Sequence, residues 1–226
     1  GGDTKYVDIA KFVNTSEPIL SFPIKTDYII HPCKVDFYRN TTTSSTLFER
    51  YVLDDSSLQA KRNPKATASR NIRMRHESLR GEFRDQYAYL DTAYDTMDVY
   101  KVEELETARR ARESSPGSGL YSTETVDWQS PNDKCAIFSI KPGLNSRRDA
   151  QVAMDLRVRK SVITDDFETL CLKSVKEFVK NFQMGQRDGK NVRGVHLSAP
   201  TQENFAACAN KCTEQDECRE KYTASR

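Results

Sequence analysis

Three stretches decide how this chain folds: Leu120-Tyr-Ser-Thr-Glu-Thr-Val-Asp-Trp128, Lys134-Cys-Ala-Ile-Phe-Ser-Ile140 and Gln151-Val-Ala-Met-Asp-Leu-Arg-Val-Arg-Lys-Ser-Val162. Each is short and rich in β-branched and aromatic residues. Each is also bounded by turn chemistry, Pro131-Asn-Asp133 in one gap and Pro142-Gly143 in the next. Runs of that length between Pro, Gly, Asn and Asp read as antiparallel strands. Upstream, Cys33, Val35 and Phe37 alternate onto one face, Asn40 to Ser45 is a polar turn, and Thr46 to Leu53 resumes strand character.

Helices flank this block. Tyr6, Ile9, Ala10 and Val13 fall at helical spacing over residues 4–13. After the last strand, Thr164-Asp-Asp166 offers a cap and negative charge where a helix N-terminus favours it. From there Phe167, Leu170, Cys171, Val175, Phe178, Val179 and Phe182 make one apolar stripe, with Gly185 as the stop. Such a stripe is core packing, here a helix lying outside a sheet. The segment 98–112 reads as a helical or irregular excursion, and 200–226 as a polar tail held by its three cysteines. Many short strands with one long helix after the last give a sandwich or a closed barrel, and the helix favours the barrel.

Composition narrows the classes. The 226 residues carry 35 Lys and Arg against 33 Asp and Glu, a net charge of +2. A balance that close gives no footing for a nucleic-acid or membrane-surface protein. No apolar run approaches the ~20 residues of a membrane span. The six cysteines, at 33, 135, 171, 208, 212 and 218, are even in number. Cys208-x3-Cys212-x5-Cys218 lacks the paired knuckle of a zinc site, and His31, His76 and His196 are scattered, so three disulfides are expected and no metal. Two sequons, Asn14-Thr-Ser16 and Asn40-Thr-Thr42, make Asn14 and Asn40 candidate glycosylation sites. Together these features predict a secreted, extracellular chain, read as mature because Gly1 to Lys5 is polar. No phosphate loop, Gly-x-Ser-x-Gly or histidine beside a nucleophile is present, so neither an enzyme nor a cofactor is expected. Lys61, Arg62, Lys65, Arg70, Arg73, Arg75 and Arg80 face a later acidic run over 85–106, which predicts opposite charges across a hairpin.

Several stretches in order resemble the tick salivary lipocalins, the group that includes the tick histamine-binding proteins. They are Val7 to Ile19, Cys33-Lys-Val-Asp36, Leu79-Arg-Gly-Glu-Phe83, Asp133-Lys-Cys-Ala-Ile-Phe138, Asp155-Leu-Arg-Val-Arg-Lys-Ser161, Cys171 to Phe178 and Phe205-Ala-Ala-Cys208. The resemblance touches most of the chain. It departs over 55–76, 94–119 and 209–226, which are longer than the family pattern. It implies a mainly β fold: an eight-stranded antiparallel lipocalin-type barrel, with a short N-terminal helix and a longer C-terminal helix packed outside. The barrel domain would be 1–208, with 209–226 a disulfide-stapled tail. It further implies disulfides Cys33–Cys208 and Cys135–Cys171, leaving Cys212 and Cys218 for each other.

On the same basis Asp155, Arg157 and Ala153 would face the lumen with Ala136, Phe138 and Ile140, while Met154, Leu156 and Val158 lie under the helix. The implied ligand-binding set is Phe37, Phe83, Phe138, Asp155 and Arg157. A small host mediator would be held without chemistry. It would be a biogenic amine such as histamine or serotonin on Asp155, or an acidic lipid such as a leukotriene or fatty acid on Arg157. Family amine binders carry an acid after the strand cysteine where this chain has Ala136, and Arg157 competes for Asp155. A monomer is expected. The rival is a binder of a host protein through the charged region 55–119.

Overall fold

Eight strands close on themselves in the computed structural model, which describes residues 6–24, 33–54, 73–86, 93–103, 119–143, 153–165, 167–188 and 197–224. In chain order they are β1 (Ile19–Pro23), β2 (Cys33–Arg39), β3 (Ser45–Asp54), β4 (Arg73–Arg84), β5 (Thr96–Lys101), β6 (Leu120–Gln129), β7 (Cys135–Pro142) and β8 (Ala153–Arg159). Each pairs antiparallel with the next, and β1 pairs with β8 through Leu20↔Val158 and Phe22↔Leu156. The fold is therefore a lipocalin-like up-and-down barrel. One helix precedes it, α1 (Ile9–Val13). After β8 come α2 (Lys160–Asp165), a π-helical segment Phe167–Leu172, α3 (Lys173–Asp188), α4 (Gln202–Thr213) and α5 (Asp216–Ala224).

Strand alternation sorts the side chains into two cores. The inward phase includes Ile19, Tyr38, Phe48, Phe83, Met97 and Phe138, and these pack against Ile9, Phe12 and Val13 of α1. The outward phase of β1, β2, β7 and β8 packs under Phe167, Cys171, Val175, Val179 and Phe205 of the late helices. Short as it is, α1 is held firmly. Asp8 caps it by accepting from the Lys11 N–H, and Arg159 donates to the carbonyls of Lys11 and Phe12. The Tyr6 hydroxyl donates to Asp133, and the Asp8 N–H donates to Gln129. Thus α1 plugs one end. The connections β1–β2, β3–β4, β5–β6 and β7–β8 start and finish at the other rim. Most of the charged region 55–119 belongs to these connections, and residues 55–72 and 104–118 lie outside the described residues.

Disulfides join Cys33 to Cys208, Cys135 to Cys171 and Cys212 to Cys218. The first ties β2 to α4, the second ties β7 to the π-helical segment, and the third links α4 to α5 across their turn.

The structure redraws several readings. The late helix neither starts at Thr164 nor stops at Gly185: Thr164 lies within α2, and α3 continues through Gly185 to Asp188. Residues 98–101, read as part of an excursion, belong to β5, because Val99 and Met97 enter the inner core. The last strand stops at Arg159, and Val162 is helical and buried among the outer-core side chains. The N-terminal helix begins at Ile9 rather than residue 4, with residues 1–5 outside the described set. The tail is two helices, held by the buried rings of Phe205 and Tyr222 as well as by cysteines. Of the basic residues expected to meet the acidic run, Arg75 and Arg80 pair instead with Glu77 and Glu82 of their own strand, and the ion pair between β4 and β5 is made by Arg84 with Asp98 at 2.7 Å.

Candidate functional site: a charged layer across the lumen

Six ionisable side chains point into the barrel and meet there. Lys34 and Asp36 come from β2, Arg50 from β3, Glu124 from β6, and Asp155 and Arg157 from β8. The register places them. Asp36 is directly opposite Arg50, and Ser21 of β1 lies between Lys34 on one side and Arg157 on the other.

One half of the layer is saturated. Arg50 donates from Nε and Nη2 to the two oxygens of Asp36 at 2.8 and 2.9 Å. It also donates from Nη1 and Nη2 to the two oxygens of Glu124, both at 2.9 Å. A guanidinium fork suits this double grip as no ammonium can. The Tyr38 hydroxyl completes Asp36 at 3.1 Å, and the Ser122 hydroxyl completes Glu124 at 2.6 Å. Arg50 thereby braces the β2–β3 wall against β6 across the lumen.

The other half is not saturated. Arg157 is fully buried, its guanidinium 4.1 Å from the centre of the Phe138 ring. Its Nη2 forms ion pairs with Glu124 at 2.6 Å and Asp155 at 3.8 Å, without hydrogen-bond alignment to either. Its Nε and Nη1 have no hydrogen-bond partner among the described residues, and neither does the Ser21 hydroxyl beside it. Asp155 is neutralised by Lys34, whose Nζ stands 2.9 Å from Oδ2. The least satisfied corner of the lumen is thus Ser21, Asp155 and Arg157, on the adjacent strands β1 and β8, where the Ser21 hydroxyl, Asp155 Oδ2 and the Arg157 guanidinium have no hydrogen-bond partner among the described residues.

Electrostatics keep Glu124 and the two arginines ionised. Burial by itself would raise the Glu124 carboxyl, but Arg50 and Arg157 overcome it and hold the group well below its usual range. Burial opposes charge on Arg50 too, and Asp36 and Glu124 more than offset it. Arg157 follows the same pattern, with Glu124 as its main support. Burial, then the neighbouring Asp36, push the Tyr38 phenol far up, so it remains a hydroxyl donor. Each buried ion loses several kcal/mol of hydration, and such clusters roughly break even against aliphatic packing. A layer of this kind therefore adds little stability beyond what aliphatic packing would supply.

The expected site residues divide accordingly. Phe138, Asp155 and Arg157 come together in the lumen. Phe83 also lies in the inner core, but beside Met97 and near the β2–β3 turn, where its N–H donates to Ser44. Phe37 is corrected: it belongs to the outward phase with Cys33 and Val35, packing edge-on against Tyr51 at 5.8 Å. A lumen position and a shared face with Cys33 are incompatible, since Cys33 is bonded to Cys208 outside the wall. Trp128 is outside as well, because the register shift after Val126 turns it to pair with Ile137. Ser21, Lys34, Asp36, Arg50 and Glu124 escaped the sequence reading. Their signal was the opposite phase of each strand, where Lys34-x-Asp36-x-Tyr38 and Phe48-x-Arg50-x-Val52 set lone charges among apolar residues. Asn14 and Asn40 are both exposed. Among the described residues no group of three His, Cys, Asp or Glu side chains is placed to hold a metal ion. Neither a protein-family model nor a curated protein matches this chain.

Proposed function

We propose that this protein is a secreted sequestering protein, of the tick salivary lipocalin kind, that captures a small host mediator in its barrel and performs no catalysis. The observation that carries the reading is the half-satisfied charged layer: a buried Arg157 with two unfilled donors, next to Ser21, inside a closed barrel. Of the two ligand chemistries the sequence suggests, an acidic lipid suits this layer better. A carboxylate is expected to accept from Arg157 Nε and Nη1 and from Ser21, donors that no bond among the described residues uses, once neighbouring side chains move to admit it. The amine reading rests on Asp155. Asp36 and Glu124 are already filled, so an ammonium is left with Asp155, whose Oδ2 has no hydrogen-bond partner among the described residues but has the Lys34 ammonium 2.9 Å away as a competing charge.

The test is calorimetric titration with oleate, a leukotriene, histamine and serotonin. Tryptophan emission suits it less, because Trp128 stands outside the wall. Saturable one-to-one binding of an acid is expected, with affinity falling at least about ten-fold in Arg157→Gln. Amine binding lost in Asp155→Asn establishes the second reading instead. No binding of any of the four, alongside salt-sensitive capture of a host protein, overturns sequestration altogether.

A further inference from the structure

Asp36 and Glu124 are fully buried carboxylates in the lumen, and either would be a strong seat for a ligand ammonium if it were free. Neither is free, and one side chain accounts for most of this. Arg50 supplies four hydrogen bonds to the pair at 2.8–2.9 Å, and the hydroxyls of Tyr38 and Ser122 take further lone pairs. An incoming ammonium has three donors arranged as a cone. It cannot reproduce two forked contacts on carboxylates held on opposite walls. Charge arithmetic points the same way. The layer holds three cations (Lys34, Arg50, Arg157) and three anions (Asp36, Glu124, Asp155), and deleting Arg50 leaves two against three. The remaining cations cannot make good the loss. Lys34 is engaged with Asp155, and Arg157 reaches Glu124 through Nη2 alone.

We infer that Arg50 is a specificity-determining residue: by engaging Asp36 and Glu124 at once, it withholds both carboxylates from cationic ligands, leaves Asp155 beside Lys34 as the remaining acid of the layer, and so tilts the lumen towards anions. Arg50 need not touch the ligand to do this. The inference rests on the proposal that the lumen holds a small charged molecule. Specificity here is partly an obstruction of the wrong partner, in addition to attraction of the right one.

The experiment compares wild type with Arg50→Met and Arg50→Lys in the full chain, by circular dichroism, thermal melting and calorimetric titration with oleate and histamine. Arg50→Met keeps apolar bulk and frees both carboxylates. Its histamine affinity is expected to rise at least about ten-fold and its oleate affinity to fall by a similar factor. Arg50→Lys retains the positive charge, so the layer stays neutral and the barrel folds. It lacks the fork, so the shift towards histamine is expected to be in the same direction and smaller. A folded Arg50→Met or Arg50→Lys whose histamine affinity does not rise above that of wild type overturns the inference. If Arg50→Met does not fold, Arg50→Lys alone decides by the same measure. The outcomes also separate this inference from the proposal beneath it. Wild type that binds neither ligand, with histamine binding gained in the variants, sinks the acidic-lipid reading and upholds the selector. Wild type that binds oleate, with variants that merely lose it, does the reverse.

Discussion

Glu124 is the single residue on which the charged layer turns, since it alone receives both arginines. Removing one partner of a buried ionic cluster strands the others, at about 3–5 kcal/mol. Glu124→Leu should therefore lose that much stability in urea unfolding, whereas Arg157→Gln should lose less, because Arg50 still neutralises Glu124. The pH dependence follows from the direction of the shift. The folded-state pKa of Glu124 lies below its ordinary value of 4.5, so its stabilisation is complete above about pH 4.5. It disappears only as pH falls from there through the folded value. Melting temperature followed from pH 7 to pH 2 should lose the Glu124 contribution only below pH 4.5, and Glu124→Gln should flatten that acid limb. At the alkaline end burial pushes Tyr51 and Tyr121 up to about 12 from an ordinary 10. Phenols of the unfolded chain ionise first, so stability present below pH 10 is lost as pH rises towards 12. Phenolate absorbance during an alkaline titration should show some of the ten tyrosines appearing late, together with unfolding.

At the scale of elements the cross-links and one close backbone approach carry the predictions. The bridges close sequence separations of 175, 36 and 6 residues. Loop entropy ranks them at roughly 5, 4 and 2 kcal/mol in that order. Paired Cys→Ser variants, compared by denaturant midpoint, should fall in the same order. A Cys212/Cys218 variant should keep its barrel, since Tyr222 remains buried and the Lys160 ammonium still donates to its carbonyl. Gly143 follows β7 where β6 comes nearest. A Cβ there would stand 1.8 Å from the Leu120 carbonyl oxygen, which is backbone and cannot swing aside. Gly143→Ala should cost about 1–3 kcal/mol, read in the same urea titration.

Elements were legible in the sequence in proportion to their isolation from tertiary demand. The strands β7 and β8 stood out because Pro131-Asn-Asp133 and Pro142-Gly143 punctuate them, and α3 because Val175 and Val179 recur at helical spacing. β5 was misread because Asp98, Tyr100 and Lys101 look polar on their own. Only the barrel reveals that Met97 and Val99 are the half that counts. The site was legible on β8, where Asp155 and Arg157 are close in sequence. It was illegible where partners are remote: Arg50 and Glu124 lie 74 residues apart.

For the molecule as a whole, capture inside a wall differs from grip on a surface. Ligand that binds only the folded barrel adds about 2.7 kcal/mol at one hundred times its dissociation constant, so the melting temperature should climb with oleate concentration. Because Arg157 is fully buried, affinity for such a ligand should change little as salt is raised. A protein-binding mode through exposed charges should weaken steeply over the same range.

The pairing of β1 with β8 has a consequence beyond shape. A protein with the sequestering role proposed above, taking up one molecule per chain, must be present at the abundance of what it removes. Crowded β proteins are endangered by naked backbone along a terminal strand, which recruits a neighbour and seeds fibres. A ring of strands has no terminal member, so stockpiling does not expose that template.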